Sequence, residues 1–155
     1  MAGNVEKRLE GTNWLGLLSF GLFLMLLGTI WTATPNLTED VRTFVDPKNW
    51  HLKNVTENIA FPEPKDSHPI LYTATMQFCL IFSVLQIVIL VLRFAFHESL
   101  NRKAETVSGV AFWFSFGCFL YTLVSESIPW FGLIGGIIIS AGLALLTSSV
   151  VKLFR

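Results

Sequence analysis

The sequence predicts an all-α integral membrane protein, a four-helix transmembrane bundle with one outer loop of about 35 residues. Three observations carry that prediction. Hydrophobic residues make up 52% of the chain and charged residues 14%, where about a quarter of an ordinary soluble domain is charged. The 11 basic and 11 acidic residues all fall outside four apolar segments, Trp14–Thr34, Leu71–Leu92, Val107–Ser125 and Trp130–Val151. Each segment is long enough, or nearly so, to cross a hydrocarbon core of about 30 Å. The length of 155 residues suits a single membrane domain, 1–155.

Helix is the only reasonable state for these segments. Inside hydrocarbon every backbone N–H and C=O must be paired within the protein, so a span is a helix or part of a closed barrel. Barrel strands are about ten residues long and alternate apolar with polar. These segments are twice that length and apolar all round. A charge at the bilayer centre costs about 2.5–3.5 kcal/mol on insertion scales, so their freedom from charge is direct evidence for insertion. The first segment is too long for a cleaved signal peptide, and it lacks a pair of small residues before a cut. A soluble globular protein, a disordered chain and a nucleic-acid binder driven by bulk charge are excluded.

Lys and Arg counts set the expected orientation. Lys7 and Arg8 precede the first span, Arg93, Arg102 and Lys103 lie in the second connection, and Lys152 and Arg155 follow the last span. The third connection, Glu126–Pro129, has no basic residue, and the first has Arg42, Lys48, Lys53 and Lys65 diluted among six acidic residues. Both termini are therefore expected to be cytoplasmic, with residues 35–70 outside. Two glycosylation sequons, Asn36-Leu-Thr38 and Asn54-Val-Thr56, lie in that outer loop. Trp14, Trp31, Tyr72, Tyr121 and Trp130 sit near span ends, as an interfacial aromatic belt requires.

Within the loop, Thr38 is placed to cap a short helix, with Glu39 and Asp40 in its first turn and Pro47 ending it. Residues 48–61 show no firm period. Pro62, Pro64 and Pro69 make the approach to the second span extended. Phe44, Trp50 and Phe61 are expected to pack the loop onto the bundle. The stretch after Leu92 reads as a continuation of the second helix whose basic residues are ordinary topogenic charge.

The fourth segment has the sharpest pattern. Gly132, Gly136, Ser140, Ala144 and Ser148 recur every fourth residue and form one smooth face for close helix packing. The pattern does not say whether the partner helix is in the same chain. Gly135 and Gly142 add small surface elsewhere. In the second segment Thr75, Cys79, Ser83 and Gln86 share a stripe. In the third, Ser115, Cys118 and Thr122 share a small, mildly polar side with Ser108 and Ala111, expected to face the bundle. Both stripes read as interhelical glue, with the lining of a polar path as the functional alternative. Cys79 and Cys118 lie at similar depth but have no Cys-x-x-Cys motif, so they read as reduced packing residues.

Several chemistries lack their residues. No acidic group lies within the spans, as proton-coupled transport and the small multidrug transporters require. No span carries an Arg array, no nucleophile–base pair is visible, and His51, His68 and His97 lack metal-ligand spacing. No catalytic residue, metal or cofactor is expected. The plan is similar to that of claudin-like and peripheral-myelin-type tetraspan proteins, with cytoplasmic termini and a larger first outer loop. Their Trp-x-x-Trp and loop cysteine pair are absent here, so the likeness is one of plan and no family is assigned. The sequence thus points to a structural or accessory membrane subunit whose partners are lipid and other transmembrane helices, not nucleic acid. A transporter or channel subunit in a homo-oligomer comes second, and an enzyme on a lipid-soluble substrate third.

Overall fold

The computed structural model describes the backbone of residues 2–56 and 59–153 and the side chains of 14–54 and 60–153. Four long helices carry the mass: α1 (Ala2–Ala33), α3 (Pro69–Ala95), α4 (Leu100–Val124) and α5 (Trp130–Leu153). Between α1 and α3 come a short helix, α2 (Leu37–Val45), and a hairpin of β1 (Trp50–Thr56) and β2 (Ile59–Pro64). The apolar stretches that could cross a membrane are Trp14–Ala33 and the whole of α3, α4 and α5. The 27 residues of α3 extend about 40 Å, more than a hydrocarbon core needs. Four helices are therefore long and apolar enough to cross a membrane, which is consistent with a multi-pass membrane protein. Lys7, Arg8 and Arg155, invoked for orientation, lie outside the residues whose side chains are described.

The main helix contacts run in a row, α1 against α3, α3 against α4, and α4 against α5, with single ring contacts also joining α1 to α4 (Phe23–Trp113) and α3 to α5 (Tyr72–Trp130). Phe78, Cys79 and Phe82 of α3, Leu120 of α4 and Leu133 of α5 form the buried core. Phe23 of α1 meets Phe78 and Phe82 edge-on at 5.2 and 5.4 Å, and Trp113 of α4 closes on both at 5.7 and 5.4 Å. Edge-to-face aromatic packing of this kind adds about 0.5–1.5 kcal/mol per pair beyond area.

The row corrects one expectation. The pattern of α4 predicts that its small, mildly polar side faces the bundle. Because α4 is flanked on two sides, that side and the bulky one are both covered. Trp113 and Leu120 pack toward α3, and Ser108 and Phe119 pack toward α5. The free arc falls between them, at Phe114, Cys118 and Tyr121, so Cys118 is exposed.

The loop also departs from its expected start. α2 begins at Leu37, earlier than a Thr38 cap would allow. Asn36 takes the capping position in a left-handed conformation (φ 60°) and uses its backbone carbonyl, which accepts from Asp40 N–H. Asn tolerates that conformation better than most side chains do. Pro47 does end α2, leading into a 3-10 turn over Pro47–Asn49.

Residues 50–64 form an antiparallel hairpin that periodicity did not reveal, with Trp50 opposite Pro64 and Leu52 opposite Pro62. Lys65 N–H donates to Asn49 O at 2.8 Å. By strand alternation the missing donors of Pro62 and Pro64 then fall on the outer edge, where proline is tolerated.

Two tight turns join α3 to α4 and α4 to α5. In each, a non-glycine residue is left-handed, His97 (φ 51°) and Glu126 (φ 55°). In each, a paired bond closes the helix end: Glu98 N–H to Arg93 O, and Ser127 N–H to Thr122 O. This is the glycine-type helix stop built without glycine. Arg93 is not a free topogenic charge. It is buried, its Nη1 donates to Arg102 O at 3.0 Å, and it lies 3.3 Å from Glu98 Oε2.

Candidate functional site

The regular face of α5 meets α4 of the same chain. Gly136 and Ser140 are buried. A Cβ on Gly136 would lie 2.5 Å from Phe119 Cγ, so the α4 ring rests directly on the α5 backbone. Ser108 Oγ crosses from α4 to donate to Ala144 O at 2.8 Å. Ala144 and Ser148 are half-buried, and Gly132 meets its own preceding turn through Ile128. The Ser140 hydroxyl donates to Gly136 O within its own helix.

The stripe on α3 is covered as well. Cys79 and Ser83 are at most 1% exposed and Gln86 is 9% exposed. Glycines on α4 make room for it: Gly117 lies over Cys79 and Leu80, and Gly109 lies against the Gln86 amide. Ser83 donates to Leu80 O and Thr75 to Leu71 O, so these hydroxyls are satisfied by their own helix. Gln86 Oε1 is buried and has no hydrogen-bond partner among the described residues. Thr75 lines a small apolar crevice of 190 Å³ between α1, α2 and α3, beside Trp31 and Leu37. Ser115 and Thr122 are half-buried on α4, and Thr122 donates to Phe119 O. The seven residues read as a lining therefore do not meet on one path: Cys79, Ser83 and Gln86 sit between α3 and α4, and Cys118 faces outward. Both cysteines are free thiols.

A second constellation, missed by sequence reasoning, lies at the end of the row that carries α2 and the hairpin. Asp40 of α2 accepts from Leu71 N–H at 2.9 Å and contacts His68 Nδ1 at 2.8 Å. One carboxylate thus caps the start of α3 and holds the preceding loop. His68 is 1% exposed, with Phe44 edge-on at 5.4 Å. Phe44 also meets Trp50 and Trp130 at 5.2 and 5.8 Å. Trp50 Nε1–H donates to Phe44 O, and Phe61 meets Phe131 at 5.0 Å. The aromatic residues of the loop therefore fasten α2 and the hairpin onto the helix ends. Sequence alone gives Asp40 only a helix-dipole role, because its partner is 28 residues away.

Beside this latch an open cleft of about 630 Å³ runs between the start of α3 and the α4–α5 turn. Tyr72 and Trp130, stacked with centroids 5.8 Å apart, are among its lining residues. Glu63, Asp66 and Glu126 stand around it, with Lys65. Among the described residues no three His, Cys, Asp or Glu side chains come together as a metal site. No protein-family model, curated protein or solved structure matches the chain.

Proposed function

We propose that the protein is a structural or accessory subunit that acts by helix–helix contact in the membrane, with both termini cytoplasmic and the hairpin outside. One observation carries this reading. After the chain has packed on itself, the two helices at the ends of the row still present open glycines. A Cβ at Gly21 or Gly28 of α1, or at Gly135 or Gly142 of α5, would meet nothing within 4 Å. Each pair is seven residues apart, two helical turns, so each marks a strip where another backbone can approach closely. Large apolar residues flank both strips, including Phe20 and Met25 on α1 and Ile138 and Leu145 on α5. The contact face moves accordingly. Gly136 and Ser140 serve α4, and the free strips take their place as the surface for an outside helix.

The homo-oligomeric transporter reading keeps one supporting observation, the unpaired Gln86 Oε1. The self-satisfied hydroxyls around it favour packing over a wet path. The test is purification in mild detergent, followed by identification of what travels with the protein. Gly135→Leu/Gly142→Leu and Gly21→Leu/Gly28→Leu should leave the melting temperature of the isolated chain unchanged while removing a co-purifying subunit or a second copy. If neither pair of changes alters association, the accessory reading fails.

A further inference from the structure

We propose that the outer face of α3 is the contact surface for a second copy of the chain, met side by side in the membrane with Gln77 paired to Gln77. Five residues mark the face: Gln77, Ile81, Val84, Val88 and Val91 follow one another at steps of four, three, four and three. At 100° per residue they fall within an arc of about 80°. All five are exposed, the four apolar ones by 45–62%. The arc lies away from Phe78 and Phe82, which serve α1, and from Cys79 and Gln86, which lie against α4. A sustained period of 3.5 is the seam of two helices that wind around each other, and β-branched side chains fill such seams. Lipid accepts apolar side chains in any order and sets no such period.

Gln77 is an independent observation that points to a partner. α3 has 27 residues where a span needs about 20, and Arg93 bounds its apolar stretch. A twenty-residue span ending before Arg93 begins no later than Thr73, which leaves Gln77 at least about 6 Å inside the hydrocarbon. Its side-chain amide is exposed and has no hydrogen-bond partner among the described residues. Beside it an open cleft of about 580 Å³, lined by Thr34, Ile70 and Thr73, separates the end of α1 from α3. An amide moved from water into alkane without a partner costs about 4–8 kcal/mol. Gln77 therefore needs a group that both donates and accepts, and a second Gln77 is such a group. Copies of one chain insert the same way round. A two-fold axis along the membrane normal then sets α3 beside α3, and each residue meets its counterpart at the same depth. Two Gln77 amides exchange an N–H···O bond in each direction, and one polar pair in an apolar seam fixes its register. The inference rests on the reading of the chain as one that works by helix contact, but it uses a different surface. The glycine strips of α1 and α5 stay open for an unlike helix.

The test uses the full chain in lipid bilayers, in a Cys79→Ala/Cys118→Ala background. One cysteine is returned at Val84 or Val88 on the seam, or at Ile138, a comparably exposed position on α5. Oxidation with copper phenanthroline should link two copies through position 84 or 88 and not through position 138. Gln77→Leu should weaken self-association about threefold to tenfold, read by energy transfer between labelled copies on dilution into lipid. Gln77→Asn, which keeps the amide, should retain more of it. Gln77 is exposed, so a weaker dimer with an unchanged melting temperature is not a loss of fold. Gly21→Leu/Gly28→Leu and Gly135→Leu/Gly142→Leu should leave the cross-link at position 84 in place, which separates this dimer from the accessory contact. A monomer at every dilution, cross-linking at position 138 in place of 84, loss of the cross-link in the glycine variants, or unchanged association of Gln77→Leu overturns the proposal. So does an unlike membrane protein cross-linked at position 84.

Discussion

Gly136 and Gly135 are neighbours on α5, yet the packing gives them opposite responses to the same substitution. In Gly136→Ala the new Cβ would sit 2.5, 2.8 and 2.9 Å from Cγ, Cδ1 and Cβ of Phe119. The nearest contact is about 1 Å short of the 3.5–4.0 Å optimum between carbon atoms. Rotation about χ1 would move Cγ and Cδ1 but leave Cβ at 2.9 Å, so a rotamer change alone does not clear the contact. Either α5 moves off α4 or Phe119 is forced out, and overpacking of this kind costs about 1–3 kcal/mol. Helix propensity opposes this loss more weakly, since Ala is favoured over Gly in a helix by about 0.5–1 kcal/mol. Because the clash is with ring-root atoms well inside 3 Å, the cost lies toward its upper range, and Gly136→Ala should lose a net of up to about 2.5 kcal/mol. Gly135→Ala meets nothing within 4 Å and keeps only the gain in helix propensity. The assay is thermal melting of both variants, side by side, in one detergent. Gly136→Ala should melt below the parent and Gly135→Ala at or above it. Equal melting temperatures, or a more stable Gly136→Ala, would refute the close approach of α4 to α5.

Other contacts give equally direct expectations. Asp40→Ala leaves Leu71 N–H and His68 Nδ1 without their acceptor. The cost should be about 1–3 kcal/mol, seen as faster hydrogen exchange over α2 and the first turn of α3. Arg93→Ala strands Glu98 at the α3–α4 turn, where the two side chains are 11% and 9% exposed. Melting should register a loss of about 3 kcal/mol, and Arg93→Ala/Glu98→Gln should recover part of it. Cys79→Leu inserts volume beneath Gly117 and should destabilise by about 1–3 kcal/mol in the same assay. Cys118→Leu on the exposed arc should be neutral, and a matching loss there would contradict the packing of α4.

The four long helices are legible in the sequence because a missing charge over twenty residues is an unambiguous signal in hydrocarbon. α2 is legible from Glu39 and Asp40 before Pro47. The hairpin is not, since Pro62 and Pro64 argue against strand unless it is known that they lie on an outer edge. The small face of α5 is legible as a packing face. Its partner is not, because Gly136 carries no information about Phe119, 17 positions earlier. On α4, one polar and one bulky side imply a single buried face. The row of helices buries both and exposes Cys118 between them, a consequence of tertiary order that no single helix encodes. Of the loop-end constellation, Phe44, Trp50 and Phe61 are recognisable as packing residues. The Asp40–His68 contact and the Tyr72–Trp130 stack depend on which helix ends meet.

The proposed topology puts the hairpin and the α4–α5 turn on one side of the membrane and the α3–α4 turn on the other. It can be tested by single-cysteine labelling of sealed membranes in a Cys79→Ala/Cys118→Ala background, with a thiol reagent that does not cross lipid. Cysteine replaces Lys48, Arg102 or Glu126 in turn. Positions 48 and 126 should label from outside, while position 102 should label only once the membrane is opened. Labelling of positions 48 and 102 from the same side would contradict the topology.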